Sequence, residues 1–122
     1  MVVIMKTKLE IIITQKMIDD YAEASKDYNP IHIDEEFAKK SIFKSRIAHG
    51  MLTLSIVMEF IYKNFNKEWY NNSTLETRFK NPVYPNEKLI IEYDLNKSPN
   101  NKIIVKCHKE NGDEILTTIL VL

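Results

Sequence analysis

Residues 49–64, His49-Gly50-Met51-Leu52-Thr53-Leu54-Ser55-Ile56-Val57-Met58-Glu59-Phe60-Ile61-Tyr62-Lys63-Asn64, decide the architecture. The first three turns of a helix written with these residues carry almost no polar face. A helix apolar all round is expected to be buried, with other elements packed around it. Everything flanking the segment can then be asked whether it supplies that cover.

On its C-terminal side the sequence reads as β. A strand is expected at about Ser73 to Val83, ending near Pro82 and Pro85. Leu89, Ile91, Tyr93 and Leu95 then alternate with more polar neighbours, as do Ile103, Val105 and Cys107. Ser98-Pro99-Asn100-Asn101 separates those two runs. Asn111-Gly112 separates the second from a last strand, Glu114 to Leu122, and is a strong hairpin signal. On the N-terminal side, residues 8–13 read as a short strand. Thr14 offers a hydroxyl cap for a helix to about Ala24, with Met17, Ile18, Tyr21 and Ala22 on one face. Residues 25–33 read as a loop, because Pro30 pushes Asn29 out of the helical region. Asp34 can cap a further short helix that carries Glu35 and Glu36 in its first turn. The expected class is α+β: a curved antiparallel sheet of about five strands wrapped around a long central helix, the hot dog architecture. The pattern alone also permits other α+β layouts.

Composition narrows the function without naming it. The 122 residues suit a single domain over 1–122, with no linker, repeat or low-complexity tract. Lys plus Arg and Asp plus Glu are 17 each, so no basic excess exists to recruit nucleic acid. The longest apolar run, Met1 to Met5, is too short to span a bilayer. It is followed by Lys6 and Lys8 and lacks a small-residue cleavage site, so no signal peptide is expected. The single cysteine, Cys107, fits a reducing compartment and hence a cytoplasmic protein. It lies on the apolar alternation and reads as core. His108 reads as a surface strand residue.

The chemistry-bearing residues gather between 27 and 51. Asp27 and His32 would face opposite sides of a strand, and would stand about 140° apart on a helix. A bend stiffened by Pro30, with Asn29 bonding nearby backbone, can bring them together. A carboxylate and an imidazole aimed at one water are the parts needed for acid–base work near neutral pH. Gly50, the only glycine besides hairpin Gly112, stands where the buried helix begins. There it leaves the first free amides and the positive dipole end open to an oxygen that gains negative charge. His49 is expected to orient the start of that helix. Asp34 is expected to cap rather than catalyse.

Asp27-x-Asn29-Pro30-x-His32-x-Asp34, then Phe43, Ile47-Ala48-His49-Gly50-Met51 and Arg78-Phe79-x-x-Pro82-Val83, resemble the MaoC-like family from about residue 10 to the C-terminus. That family includes (R)-specific enoyl-CoA hydratases and 3-hydroxyacyl thioester dehydratases. The resemblance implies a hot dog fold and a homodimer, with the sheets joined edge to edge, or a dimer of dimers. It also implies reversible hydration of trans-2-enoyl thioesters of CoA or acyl carrier protein, with no metal and no cofactor. Carried over by position, Asp27, His32 and Gly50 are catalytic, while Asn29, His49 and Met51 position the substrate. Two departures stand out. Asn86-Glu87 replaces a common Gly-Asp, and Asn86 tolerates the left-handed turn. Met58 replaces a hydroxyl residue found on the central helix of some hydratases.

The acyl chain is expected to run along the central helix, between it and the sheet. Lys44, Arg46, Arg78 and Lys80 are candidates for the phosphates of a CoA or carrier-protein arm. Two other functions compete. A hot dog thioesterase would place its acid on the central helix, where Glu59 is the only one, and a non-catalytic acyl-thioester binder would need no dyad.

Overall fold

The structure, a computed structural model, describes residues 8–65, 67–93 and 101–121. The Met1–Met5 run, Leu95, Leu122 and positions 98–100 of the expected turn lie outside these. In chain order the elements are β1 (Lys8–Ile12), α1 (Gln15–Ser25), α2 (Pro30–Ile33), α3 (Glu35–Lys39), α4 (Gly50–Asn64), α5 (Lys67–Asn72), β2 (Thr74–Phe79), β3 (Lys88–Tyr93), β4 (Lys102–Lys109) and β5 (Glu114–Val121). The strands form one antiparallel sheet in the order β1-β3-β4-β5-β2. With α4 against its apolar face, this is the hot dog architecture.

Register explains how the sheet holds the helix. Leu9, Ile91, Cys107, Leu116 and Phe79 are successive cross-strand partners, one residue from each strand. Directly paired residues share a face, so this row crosses the sheet on the helix side. Ile91, Cys107 and Leu116 are fully buried in one core cluster with Leu52, Val57, Phe60 and Ile61 of α4. The β4–β5 pairing slips by one residue: Cys107 faces Leu116 but His108 faces Glu114, leaving Ile115 as an extra residue. Gly112 takes φ 94° in the hairpin, a conformation that favours glycine. Asn86 stands at φ 70°, so the turn there survives the exchange of residues.

Four expectations are revised. Residues 30–33 are a helical turn rather than loop, because Pro30 takes the first helical position, where its missing N–H costs nothing. The strand expected to reach Val83 stops at Phe79, and Asn81 instead donates its side chain to the Glu114 carbonyl at 2.7 Å. The short helix α5 was not anticipated; it buries Trp69. Finally, α4 is not covered on all sides. Met51 is 57% and Tyr62 53% exposed, and an apolar groove of about 540 Å³ runs past Tyr21, Met51, Leu54, Met58 and Tyr62. A second groove of about 380 Å³ lies between α4 and β1, along Leu9, Ile11, Ile56 and Phe60. The helix is apolar all round because it serves one core and two grooves.

His108 lies on β4 as expected, half-buried, and its Nε2 pairs with Glu92 at 2.9 Å. Cys107 is core as expected, and burial pushes its thiol up to about 12. No helix among the described residues is long and apolar enough to cross a membrane.

Truncation at the centre of this packing tests the arrangement. Ile61 is fully buried, whereas Ile42 is 88% exposed. Ile61→Ala is expected to lower unfolding free energy by about 2–5 kcal/mol, and Ile42→Ala to change it by less than about 0.5 kcal/mol. Urea titration of both variants measures the contrast.

Candidate active site

The site begins where α1 ends. Lys26 closes that helix in the left-handed region at φ 63°, turning the chain sharply. Local side-chain bonds then fix the bend. Ser25 Oγ accepts from the Asp27 amide at 3.2 Å, Asp27 Oδ1 from the Asn29 amide at 3.2 Å, and Asn29 Oδ1 from the Ile31 amide at 3.1 Å. Asn29 thus caps the one-turn helix that carries His32, and Asp34 closes that turn and caps α3. Asp27 and His32 therefore sit on a bend followed by a tight turn, a geometry that neither a strand nor a continuous helix provides.

His32 is anchored from behind. Its Nδ1 lies 2.8 Å from the Ile47 carbonyl, while the Ile47 amide donates to the Ile31 carbonyl at 3.2 Å. Gln15 Nε2 donates to the His32 carbonyl at 2.9 Å. A carbonyl only accepts, so the Nδ1 proton is committed there and Nε2 is left as the free nitrogen. His32 is held below the usual imidazole range, first by burial and then by its neighbour His49; the Ile47 carbonyl and Asp27 act in the opposite sense.

His49 is the N-cap residue of α4, but its side chain makes no capping bond. Its Nε2 instead reaches the Asp27 carbonyl at 3.1 Å, and its ring stacks on His32 with centroids 3.8 Å apart. One donor atom from each of Asp27, His32 and His49 lies within 4.8 Å of the others. Each imidazole commits one nitrogen to a main-chain carbonyl, so the trio is held together by hydrogen bonds to the backbone.

Gly50 is exposed at the start of α4, where the N-cap residue His49 makes no side-chain capping bond. A Cβ there would stand 3.1 Å from Phe79 Cε1 and 3.3 Å from Phe79 Cδ1. The glycine thus makes room for an aromatic ring. A cavity of about 280 Å³ opens beside it, walled by Phe43, Ile47, Gly50, Thr53, Phe79 and Ile115. Asp27 and His32 do not line it. Ile47, Ala48 and Gly50, from the segment that also carries His49, do line it.

The other candidates are dispersed. Met51 lines the groove toward Tyr21, and Asn29 serves the bend. Lys80 lines the cavity but pairs with Glu114 at 2.9 Å, and Arg78 lies 3.6 Å from Glu76. Lys44 and Arg46 have no ion pair among the described residues. Glu59 is exposed and paired with Lys63 at 2.7 Å. One contributor escaped the sequence reading: Gln15 carries no signal, since its contact spans 17 residues. Phe79 enters that reading only as part of a motif, and its packing at Gly50 comes from the structure.

The model of the MaoC-like domain matches residues 4–116. The chain belongs to the MaoC-like family. It is 32% identical over 111 residues, 86% of its length, to a mitochondrial 3-hydroxyacyl-[acyl-carrier-protein] dehydratase of Arabidopsis thaliana. It spans 66% of that protein, just under two thirds. Among solved structures, the R-hydratase PhaJ1 of Pseudomonas aeruginosa superimposes with a TM-score of 0.74 at 25% identity, covering 97% of this MaoC-like chain and 78% of the other. An (R)-hydratase from A. caviae gives 0.77 at 22% identity, covering 98% and 93%, which speaks to the fold alone.

The buried imidazole carries a stability consequence. His32 has its folded pKa below the unfolded value of about 6.5. The unfolded chain therefore binds more protons in that window, and the contribution is complete above pH about 6.5 and lost as pH falls through the folded value. Urea midpoints should drop between pH 7.5 and 5.5, and the drop should be smaller in His32→Gln.

Proposed function

We propose that this MaoC-like protein reversibly hydrates trans-2-enoyl thioesters to (R)-3-hydroxyacyl thioesters, carried on CoA or acyl carrier protein. The observation that carries the reading is the convergence of Asp27 and His32 beside the open start of α4. The names of the relatives, a dehydratase and an R-hydratase, support it.

In this mechanism one water sits between the Asp27 carboxylate and His32 Nε2, both of which can accept its hydrogens. The Gly50 end of α4 draws electron density onto the thioester oxygen, leaving C3 electrophilic. Asp27 removes a proton as the water oxygen bonds to C3, and the electrons of the C2–C3 double bond move toward the thioester oxygen as an enolate. The proton on Asp27 then passes to C2 while His32 holds the new hydroxyl, so one water is added and Asp27 is regenerated. Dehydration is the reverse. Asn29 and Met51 are assigned to positioning the substrate, Asn29 through the bend and Met51 at the groove.

The same reading includes a homodimer. The uncovered groove along Met51, Leu54, Met58 and Tyr62 supports it, as does strand β2, an outer strand of the sheet with Leu75 and Phe79 exposed. It also includes a cytoplasmic location, supported by the one buried thiol, Cys107.

Loss of absorbance from crotonyl-CoA tests the reaction. Asp27→Asn and His32→Ala are each expected to cut turnover by at least about 10², with far-ultraviolet circular dichroism unchanged. Near-wild-type turnover in either variant removes the dyad assignment, and release of free thiol by the wild type would mark a thioesterase instead.

A further inference from the structure

His49 is 3% exposed, yet nothing in the mechanism above uses it. Its side chain does not cap α4, the ordinary task of a polar residue at that position. Two of its engagements go to the dyad, one to each member. The Nε2 atom bridges 22 residues of sequence to the main-chain carbonyl of Asp27, and the ring lies on the His32 imidazole at 3.8 Å with planes 25° apart. Tyr21 also packs edge-on against the ring, at 4.9 Å and 62°, a second aromatic contact that limits its rotation. Since a carbonyl only accepts, Nε2 carries the hydrogen. That leaves Nδ1 buried without a partner among the described residues, the cost of this orientation.

We propose that His49 is the positioning residue of this site: its Nε2–H pins the Asp27 bend and its ring braces His32, so carboxylate and imidazole stay one water apart. The proposal rests on the hydration reading given above and assigns His49 to the dyad rather than to substrate. Without the pin, the bonds that hold Asp27 among the described residues are short-range ones within an exposed bend, donated to Ser25 Oγ and accepted from the Asn29 amide. Misplacing a catalytic group by about 1 Å can cost about 10² in rate. The electrostatic link has a definite sign as well. Asp27 and His49 are the titratable groups that act on His32, and His49 lowers its affinity for a proton. Removing the imidazole at 49 therefore raises the pH at which His32 titrates.

Two substitutions separate the pin from the brace. His49→Gln keeps an N–H able to reach the Asp27 carbonyl but loses the ring, while His49→Phe keeps an aromatic face and loses the donor. With crotonyl-CoA, His49→Phe is expected to lower kcat by about 10–100-fold with KM changed less than about threefold. His49→Gln should recover most of that loss. In both, the acidic limb of kcat/KM moves to higher pH. Wild-type kcat in His49→Phe, or an unmoved acidic limb in both variants, overturns the proposal. If His49→Phe does not fold, His49→Ala stands in: its kcat should fall at least as far with KM little changed, and wild-type kcat there overturns the proposal. Should the wild type hydrate no enoyl thioester, the function fails separately, and NMR titration of His32 still decides its electrostatic coupling to His49. An upward shift in His49→Gln supports that coupling and an unchanged titration refutes it.

Discussion

One face of α4 lies against the apolar side of a five-stranded sheet, and the placement of every other element follows from that contact. Val57 and Ile61 meet a row that includes Ile91, Cys107 and Leu116, all without solvent exposure. Burial of this extent is the main driving force of folding in so small a chain. It also fixes where α4 begins. Ala48, just before the helix, is buried and donates its amide to the Val83 carbonyl at 2.8 Å, so the amides of the first turn stand at the edge of the core.

Against that fixed edge the dyad is assembled by main-chain acceptors. Both imidazoles direct a ring N–H at a carbonyl, His32 at Ile47 and His49 at Asp27. Each bond joins the 27–33 segment to residues 47–49, so two stretches far apart in sequence act as one frame. The bonds also select tautomers, which a side chain in open solvent would not do. The chemistry then depends on nitrogen atoms whose tautomer is set by backbone geometry.

Much of this was legible in the residues. Thr14 and Asp34 read as caps, Asn111-Gly112 as a hairpin and Asn86 as a left-handed turn, because each follows from local backbone preference. Convergence of Asp27 with His32 was legible by elimination, since no regular element could supply it. Other features were hidden for identifiable reasons. Pro30 signals both the end of one conformation and the start of a helix, and only the first was read. The uniform apolarity of α4 could not say which flank meets the sheet and which borders a groove, because periodicity carries no information about the partner. Long-range contacts such as Gln15 with the His32 carbonyl leave no trace in spacing.

The extra residue in β5 has an effect on the cavity beyond the hairpin. Ile115 and Leu116 are adjacent yet both buried, an arrangement the ordinary alternation of a strand forbids. The irregularity lets Leu116 stay in the sheet's inner row while Ile115 walls the cavity beside Gly50 and its carbonyl receives the Lys80 amide at 2.8 Å. Deleting one residue here would rotate that wall out of place. Among descendants of this chain, the corner can therefore lengthen or shorten only by even steps if the chamber is to keep its shape.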